Sequence, residues 1–154
     1  MKTCKRPITL FLAVLLIMSV LSLPAMARSY STVSNEGVEL VFPKSRDMLS
    51  KIKTARVKAS NGAIYLMPVP KAGNGVLGKV RSNKTVYILA ERGGFYFFMT
   101  KDGRFGWNGK KYFYDFKKSS AEAALGVIED KELAAEFEGN KGFERLVGLL
   151  EDKS

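Results

Sequence analysis

The sequence predicts a mainly β fold, in which a small barrel of about five strands is followed by a short C-terminal α-helical appendage. Turn-forming pairs recur about every 8–12 residues between residues 55 and 116, which is the spacing of short strands in a small barrel. The runs between these turns are rich in β-branched and aromatic residues, which favour strands. The turns are Asn61-Gly62, Asn74-Gly75, Ser82-Asn83, Arg92-Gly93-Gly94, Asp102-Gly103 and Asn108-Gly109.

Residues 1–27 have the pattern of a secretory signal peptide. Basic residues precede an apolar run from Ile8 to Leu23, and Ala25 and Ala27 then supply the small side chains that a signal peptidase reads. The run is shorter than the roughly 20 residues that a bilayer span needs. We therefore expect cleavage after Ala27 and a periplasmic or secreted protein that does not span the membrane.

The composition narrows the chemistry open to the mature chain. The sequence contains no histidine, and its single cysteine, Cys4, lies in the predicted leader. Ser-His-Asp and Cys-His arrangements are therefore excluded, as are histidine-ligated metal sites. Ser119-Ser120 beside Lys117-Lys118 is the one hydroxyl and amine cluster, and we interpret it as a helix cap. We predict no enzymatic activity, no catalytic residue, no metal and no cofactor.

Charge divides the mature chain into a basic body and an acidic tail. Residues 28–118 contain 18 basic and 6 acidic residues, a net charge of +12, whereas residues 119–154 contain 4 basic and 9 acidic residues, a net charge of −5. A basic body could bind nucleic acid. Export and the absence of a base-reading motif argue against that partner.

Residues 28–53 are predicted to form an N-terminal arm and linker. A Ser/Thr-rich stretch opens the arm, and alternating Val38, Leu40 and Phe42 indicate a strand that stops at Pro43. The segment from Ser45 to Lys53 fits a single helical turn or a packed linker, and the sequence does not separate the two.

The barrel is predicted over residues 54–118. Its first strand begins near Thr54, and the apolar run from Ile64 to Pro70 is interrupted twice by proline, which confines it to a sheet edge or a structured loop. Asp102-Gly103 suits a two-residue type I′ turn, and Gly106 allows a close backbone approach. The remaining predicted strands cover residues 76–80, 85–90, 94–100, 104–107 and 111–116.

Residues 119–154 are predicted to form a tail of two short amphipathic helices. Ser119 and Glu122 have the spacing of a capping box, and Gly139-Asn140 marks a break. The second helix places Phe143, Leu146, Val147 and Leu150 on one face. This acidic tail either packs on the basic body or presents its apolar face for self-association or partner docking.

Residues 57–113 resemble the bacterial Src-homology-3-like (SH3-like) domain family, over about half of the mature chain. The resemblance is carried by residues 76–80, 86–89 and 94–98, and above all by the hexapeptide Asp102-Gly103-Arg104-Phe105-Gly106-Trp107. It implies an SH3-like β-barrel. Two features depart from the family pattern: residues 64–68 replace an Arg-x-Gly-Pro element, and Asn83 replaces a turn glycine, a change that asparagine tolerates.

The resemblance implies a groove between the first long loop and the later strands. Aromatic side chains there would stack on sugars or hold an extended peptide, and basic residues would attract anions. Trp107 either closes the barrel end or contacts the ligand. The candidate ligand-binding residues are Tyr65, Tyr96, Arg104, Trp107, Lys111, Tyr112 and Tyr114.

These features lead us to expect a non-catalytic, exported binding module of the bacterial cell envelope. Its partner would be peptidoglycan or an envelope protein. The alternative is a structural or regulatory interaction protein whose helical tail mediates self-association or docking.

Overall fold

The structure is a computed structural model that describes residues 39–154. The predicted signal peptide and residues 28–38 of the predicted arm lie outside the described residues. Seven strands and three helices follow one another in chain order: β1 Met48–Val57, β2 Ala63–Leu66, β3 Gly78–Arg81, β4 Thr85–Arg92, β5 Phe95–Thr100, β6 Phe105–Gly109, β7 Phe113–Lys118, α1 Ala121–Ile128, α2 Lys131–Glu136 and α3 Lys141–Glu151. The predicted mainly β class with a helical C-terminus is confirmed.

The strands form two antiparallel sheets. Five strands pair in the order β6-β5-β4-β1-β7, and β2 pairs only with β3. Met67 joins the sheets through an isolated bridge to Trp107. Met67 N–H donates to Trp107 O and Trp107 N–H donates to Met67 O, with nitrogen-to-oxygen distances of 3.0 and 2.8 Å. The predicted small barrel is therefore present only as two packed sheets, because the strands do not close into a barrel. Pro68 and Pro70 lack the N–H donors that a ladder beyond Met67 would need, so β2 does not extend along β6.

Two apolar clusters lie on opposite faces of the five-stranded sheet. Successive residues of β5 alternate between them, because side chains on a strand point to opposite faces: Phe97 and Met99 pack toward the helices, whereas Phe98 packs toward the two-stranded sheet. At Gly106 a Cβ atom would lie 2.9 Å from the Leu66 backbone. The prediction that this glycine permits close approach is confirmed, since any larger residue would separate the two sheets.

The loop between β5 and β6 differs from the predicted type I′ turn. Only Gly103 has a positive φ, of 83°, whereas a type I′ turn requires positive φ at both central residues. Gly103 N–H donates to Thr100 O, and Thr100 N–H donates to Arg104 O. This is the three-residue hairpin loop that places glycine in the left-handed region. In the turn between β3 and β4, Asn83 has φ 66°, as expected for an asparagine in place of glycine.

The segment that precedes the sheet is more ordered than a linker. Residues 39–44 form no assigned strand, although Val41 N–H donates to Pro68 O at 2.8 Å. A 3₁₀ turn covers Ser45–Asp47, and β1 begins directly afterwards at Met48, six residues before the predicted Thr54. Asp47 is buried and accepts hydrogen bonds from Lys44 N–H and from the Arg92 guanidinium, which explains why this turn is fixed.

The helical tail packs on the sheet. Its buried side chains join Phe42, Phe105 and Trp107 in one cluster. Three helices replace the expected two, because Asp130 caps an additional helix, α2. Ser120, not Ser119, caps α1, and its Oγ accepts from Ala123 N–H at 3.1 Å. The tail residues in the cluster are Ala121, Ala124, Ile128, Leu133, Phe143, Leu146 and Leu150.

Asp47→Asn should lower stability in a pH-dependent manner. The Arg92 hydrogen bond holds the pKa of Asp47 below its ordinary value of 3.8, despite the opposing effect of burial. A carboxylate whose pKa is lower in the folded state stabilises the fold at pH values above its unfolded-state pKa of about 3.9. This stabilisation is lost as the pH falls through the folded-state pKa. We expect a loss of about 1–3 kcal/mol near neutral pH, as for hydrogen bonds to charged groups.

Urea unfolding at about pH 7 and about pH 3 would measure this difference. The two proteins should converge at the lower pH, because a protonated Asp47 resembles asparagine. A gap of constant size at both pH values would show that the charge of Asp47 does not stabilise the fold.

Candidate functional site

The candidate site is an open groove of about 380 Å³ beside the two-stranded sheet. One wall comes from β2 and the loop before it, and the other comes from β5, the end of β6 and the 3₁₀ turn Lys110–Tyr112. The side chains that define its character are Tyr65, Met67, Phe95, Asn108, Lys111 and Tyr112. We refer to it as the aromatic groove.

Tyr65 is held at the groove by its backbone. Asn108 is buried, and its Nδ2 donates to Tyr65 O at 2.6 Å while its Oδ1 accepts from Gly109 N–H at 2.7 Å. Alternation along β2 buries Ile64 and Leu66 and turns Tyr65 outward, where it is 47% exposed. Lys79, directly opposite on β3, places Nζ 5.4 Å from the centroid of the Tyr65 ring.

Tyr112 is fixed on the opposite side of the groove. Its carbonyl oxygen accepts from Lys58 N–H at 2.8 Å, which ties the 3₁₀ turn to the end of β1. Lys111 Nζ lies 5.0 Å from the centroid of the Tyr112 ring. The neighbouring loop is also restrained, because Ser82 Oγ exchanges hydrogen bonds with both Ala59 N–H and Ala59 O.

The groove can therefore bind a ligand that is flat, partly apolar and polar at its edges. Tyrosine faces stack against sugar rings or peptide planes, while their hydroxyl groups remain available to water or ligand. Met67 and Phe95 add apolar surface, and Lys79 and Lys111 bring positive charge to the two tyrosines.

Three of the seven sequence-predicted residues share this groove, namely Tyr65, Lys111 and Tyr112. Trp107 does not line it. The indole is fully buried, and its Nε1 donates to Val41 O at 2.7 Å. Of the two roles considered for Trp107, core residue and ligand contact, the structure therefore favours the core.

Tyr96 and Tyr114 lie away from the groove lining. The Tyr96 ring packs edge-on against Phe113 and Phe116 at centroid distances of 5.7 and 5.9 Å. The Tyr114 hydroxyl donates to Asn83 Oδ1 at 2.7 Å, and Arg56 lies 5.8 Å from its ring centroid. These two tyrosines therefore have structural partners of their own.

Arg104 lines a different depression, on the other side of β3. Its Nε donates to Asp102 Oδ2 at 2.8 Å and its Nη1 donates to Lys79 O at 3.0 Å. Partial burial alone would raise the pKa of Asp102, but hydrogen bonds from Thr100 and Arg104 hold that pKa below its ordinary value. The Asp102 carboxylate thus remains ionised at neutral pH.

Sequence reasoning missed Phe95 and Asn108. In the sequence Asn108-Gly109 indicates only a turn, whereas both residues lie at the end of β6, and an asparagine buried there leaves no signal in a single sequence. Phe95 is the first residue of β5, whose sequence is rich in aromatic residues. The sequence does not show which of these rings lines a groove, because that depends on how β5 pairs with its neighbours.

No protein-family model matches the chain, and no curated protein shows significant similarity to it. Within residues 39–154, no helix has the length and apolarity needed to cross a membrane. The same residues contain no cluster of three or more acidic, cysteine or histidine side chains placed to hold a metal ion.

Proposed function

We propose that the protein is a non-catalytic binding module of the bacterial cell envelope, exported after cleavage at Ala27, that binds peptidoglycan through the aromatic groove. The observation that carries the proposal is the placement of Tyr65 and Tyr112 on two walls of one groove, each with a lysine at its ring. Peptidoglycan combines sugar rings with acidic peptide stems, which suits stacked aromatics beside cations.

The SH3-like character of the fold is part of this proposal. It is supported by the hexapeptide at residues 102–107, in which Gly106 allows Leu66 to approach and Trp107 fills the core beneath. The two sheets also pack around a shared cluster that contains Val57, Ile64 and Phe98. This arrangement is similar to that of a small barrel, although its ladder is not closed.

An envelope protein is the second candidate partner. Met67 and Phe95 add apolar surface to the lining that contains the two tyrosines, which suits an extended peptide. Partner docking through the tail has less support, because Phe143, Leu146 and Leu150 face the sheet.

Tyr65→Ala and Tyr112→Ala should each weaken binding to purified peptidoglycan sacculi. We expect a loss of roughly 1–2 kcal/mol per substitution, or about tenfold in affinity, as for aromatic anchors in a contact patch. Co-sedimentation of the protein with sacculi over a range of concentrations would measure this loss.

Tyr114→Ala is the matched control, since it removes a partly exposed tyrosine that does not line the groove. It should bind sacculi as the unmodified protein does. Sacculus binding that survives both groove substitutions would reject the proposed site. An absence of sacculus binding, together with specific capture of an envelope protein that Tyr65→Ala abolishes, would replace peptidoglycan by a protein partner.

A further inference from the structure

A second depression, of about 660 Å³, concentrates positive charge. It lies between the turn that joins β3 to β4 and the loop that joins β5 to β6. We call it the basic cleft. Its cations are Lys79, Arg81, Lys84, Lys101 and Arg104.

The fold places these cations on two facing walls. Alternation along β3 buries Val80 and turns Lys79 and Arg81 outward, and Lys84 follows in the turn before β4. Lys101 and Arg104 come from the opposite loop, which Thr100 and Arg104 hold together through backbone and side-chain hydrogen bonds. A ligand in the cleft would therefore meet cations from both sides.

The charge of the cleft is not neutralised internally. Among residues 39–154, Asp102 is the single acidic residue of the lining, and its carboxylate pairs with Arg104 at 2.8 Å. Lys84 and Lys101 are exposed, as is Arg81. Like charges gathered around a concave surface repel one another, and an anionic ligand would relieve this repulsion.

The positive surface continues beyond the cleft. A neighbouring depression shares Asn83 and Thr85 with it and adds Arg56 and Lys117, with Asp115 at 3.7 Å from Lys117. The cations thus continue on both sides of the turn that joins β3 to β4. A positive surface of this kind fits an extended ligand better than a single small anion.

The lining also argues against nucleic acid. Proteins that bind single strands stack successive bases on aromatic side chains. The basic cleft has no aromatic residue in its described lining, and its apolar members are Val80 and Val86. A flat membrane surface would meet the rims of the cleft and not its two walls.

We propose that the basic cleft is a binding site for a flexible linear polyanion without aromatic groups, whose charges are phosphates or carboxylates. The lining of the cleft differs from that of the aromatic groove, although Lys79 borders both, and the proposal does not depend on the function proposed for that groove. Lysine and arginine side chains would hold the polymer mainly by charge, with release of counterions from the polymer.

The test measures binding of the purified protein to linear polyphosphate and to poly-L-glutamate over a series of salt concentrations. Binding should weaken steeply with salt. The variant Arg81→Gln/Lys84→Gln/Lys101→Gln should lose at least about tenfold in affinity, and its slope of log affinity against log salt should fall by about three, one for each cation removed.

The matched control is Lys51→Gln/Lys131→Gln/Lys141→Gln, which removes the same charge from exposed positions outside the cleft. It should retain the affinity and nearly all of the slope, and both triple variants should keep the urea midpoint. Tyr65→Ala should leave polyphosphate binding intact, which separates this site from the aromatic groove.

If only polyphosphate binds, the charged groups of the ligand are phosphates. If only poly-L-glutamate binds, they are carboxylates. Binding of both polymers would show that a high density of negative charge is enough for binding. Failure of both polymers to bind would overturn the proposal. Equal losses in the two triple variants would do so as well, because net charge and not the cleft would then be responsible. Tighter binding of oligothymidylate than of either polymer, at matched charge, would make the cleft a nucleic-acid site.

Discussion

Removal of residues 119–154 should leave a chain that does not fold. Five large tail side chains are buried in the cluster on the helix face of the sheet, namely Ile128, Leu133, Phe143, Leu146 and Leu150. Burying one such side chain contributes about 1.5–3 kcal/mol, so their loss approaches the whole stability of a typical domain, about 5–15 kcal/mol. The truncated protein should aggregate or show no cooperative unfolding by circular dichroism.

A point substitution separates packing from the effects of truncation. Leu146→Ser should cost roughly 2–5 kcal/mol, as for other large-to-small changes in a core. Arg145→Ser introduces the same residue at the adjacent, exposed position of the same helix, so it carries a similar cost in helix propensity without loss of burial. Equal urea midpoints for the two variants would contradict the assignment of α3 to the core, and the tail would then be available to a partner.

The strands could be predicted because their signals are local. Turn pairs and alternating apolar residues located β3 to β6 to within a few residues. The pairing between distant strands has no such signal, so the sequence did not reveal that β2 pairs only with β3. Pro68 and Pro70 end the pairing of this segment. The sequence predicts that residues 64–70 form a sheet edge or a loop, but it does not predict that the sheets fail to close into a barrel.

The helical tail shows the same difference between local signals, which the sequence contains, and contacts between distant residues, which it does not reveal. Helical spacing identified α1 and α3, but α2 has only one fully buried residue, Leu133, and so lacks a periodic stripe. Leu133 packs over the loop at Gly103, where a Cβ atom would lie 2.8 Å from its Cδ2. Such a contact joins residues from separate parts of the chain and leaves no local pattern.

The candidate site was predicted only in part for a related reason. Aromatic and basic residues were recognised as a set, yet one sequence does not say which of them share a surface. Tyr65 and Tyr112 line one groove because the fold brings β2 and the 3₁₀ turn to it. Lys84 and Lys101, which help to line the basic cleft, belong to two separate connections, β3 to β4 and β5 to β6, that come together only in the folded chain.

Trp107→Ala should destabilise the protein by about 3–5 kcal/mol, the range observed when a buried aromatic residue is truncated to alanine. Trp107 is the one tryptophan of the chain, is fully buried and packs 5.1 Å from the Phe97 ring centroid. It also joins two segments, because its Nε1 donates to Val41 O and Arg92 lies 5.3 Å from its ring. Urea unfolding followed by far-UV circular dichroism would measure the loss without relying on tryptophan fluorescence.

Trp107→Phe distinguishes the apolar contribution from the hydrogen bond. Phenylalanine retains a ring beside Phe97 but cannot donate to Val41 O, so we expect a smaller loss of roughly 1–3 kcal/mol, the cost of an unsatisfied buried acceptor. The restraint on residues 39–44 should weaken in both variants, which would appear as faster amide exchange at Val41 N–H. If Trp107→Ala instead kept the urea midpoint of the unmodified protein, the indole would not be part of the core, and its role as a ligand contact would have to be tested again.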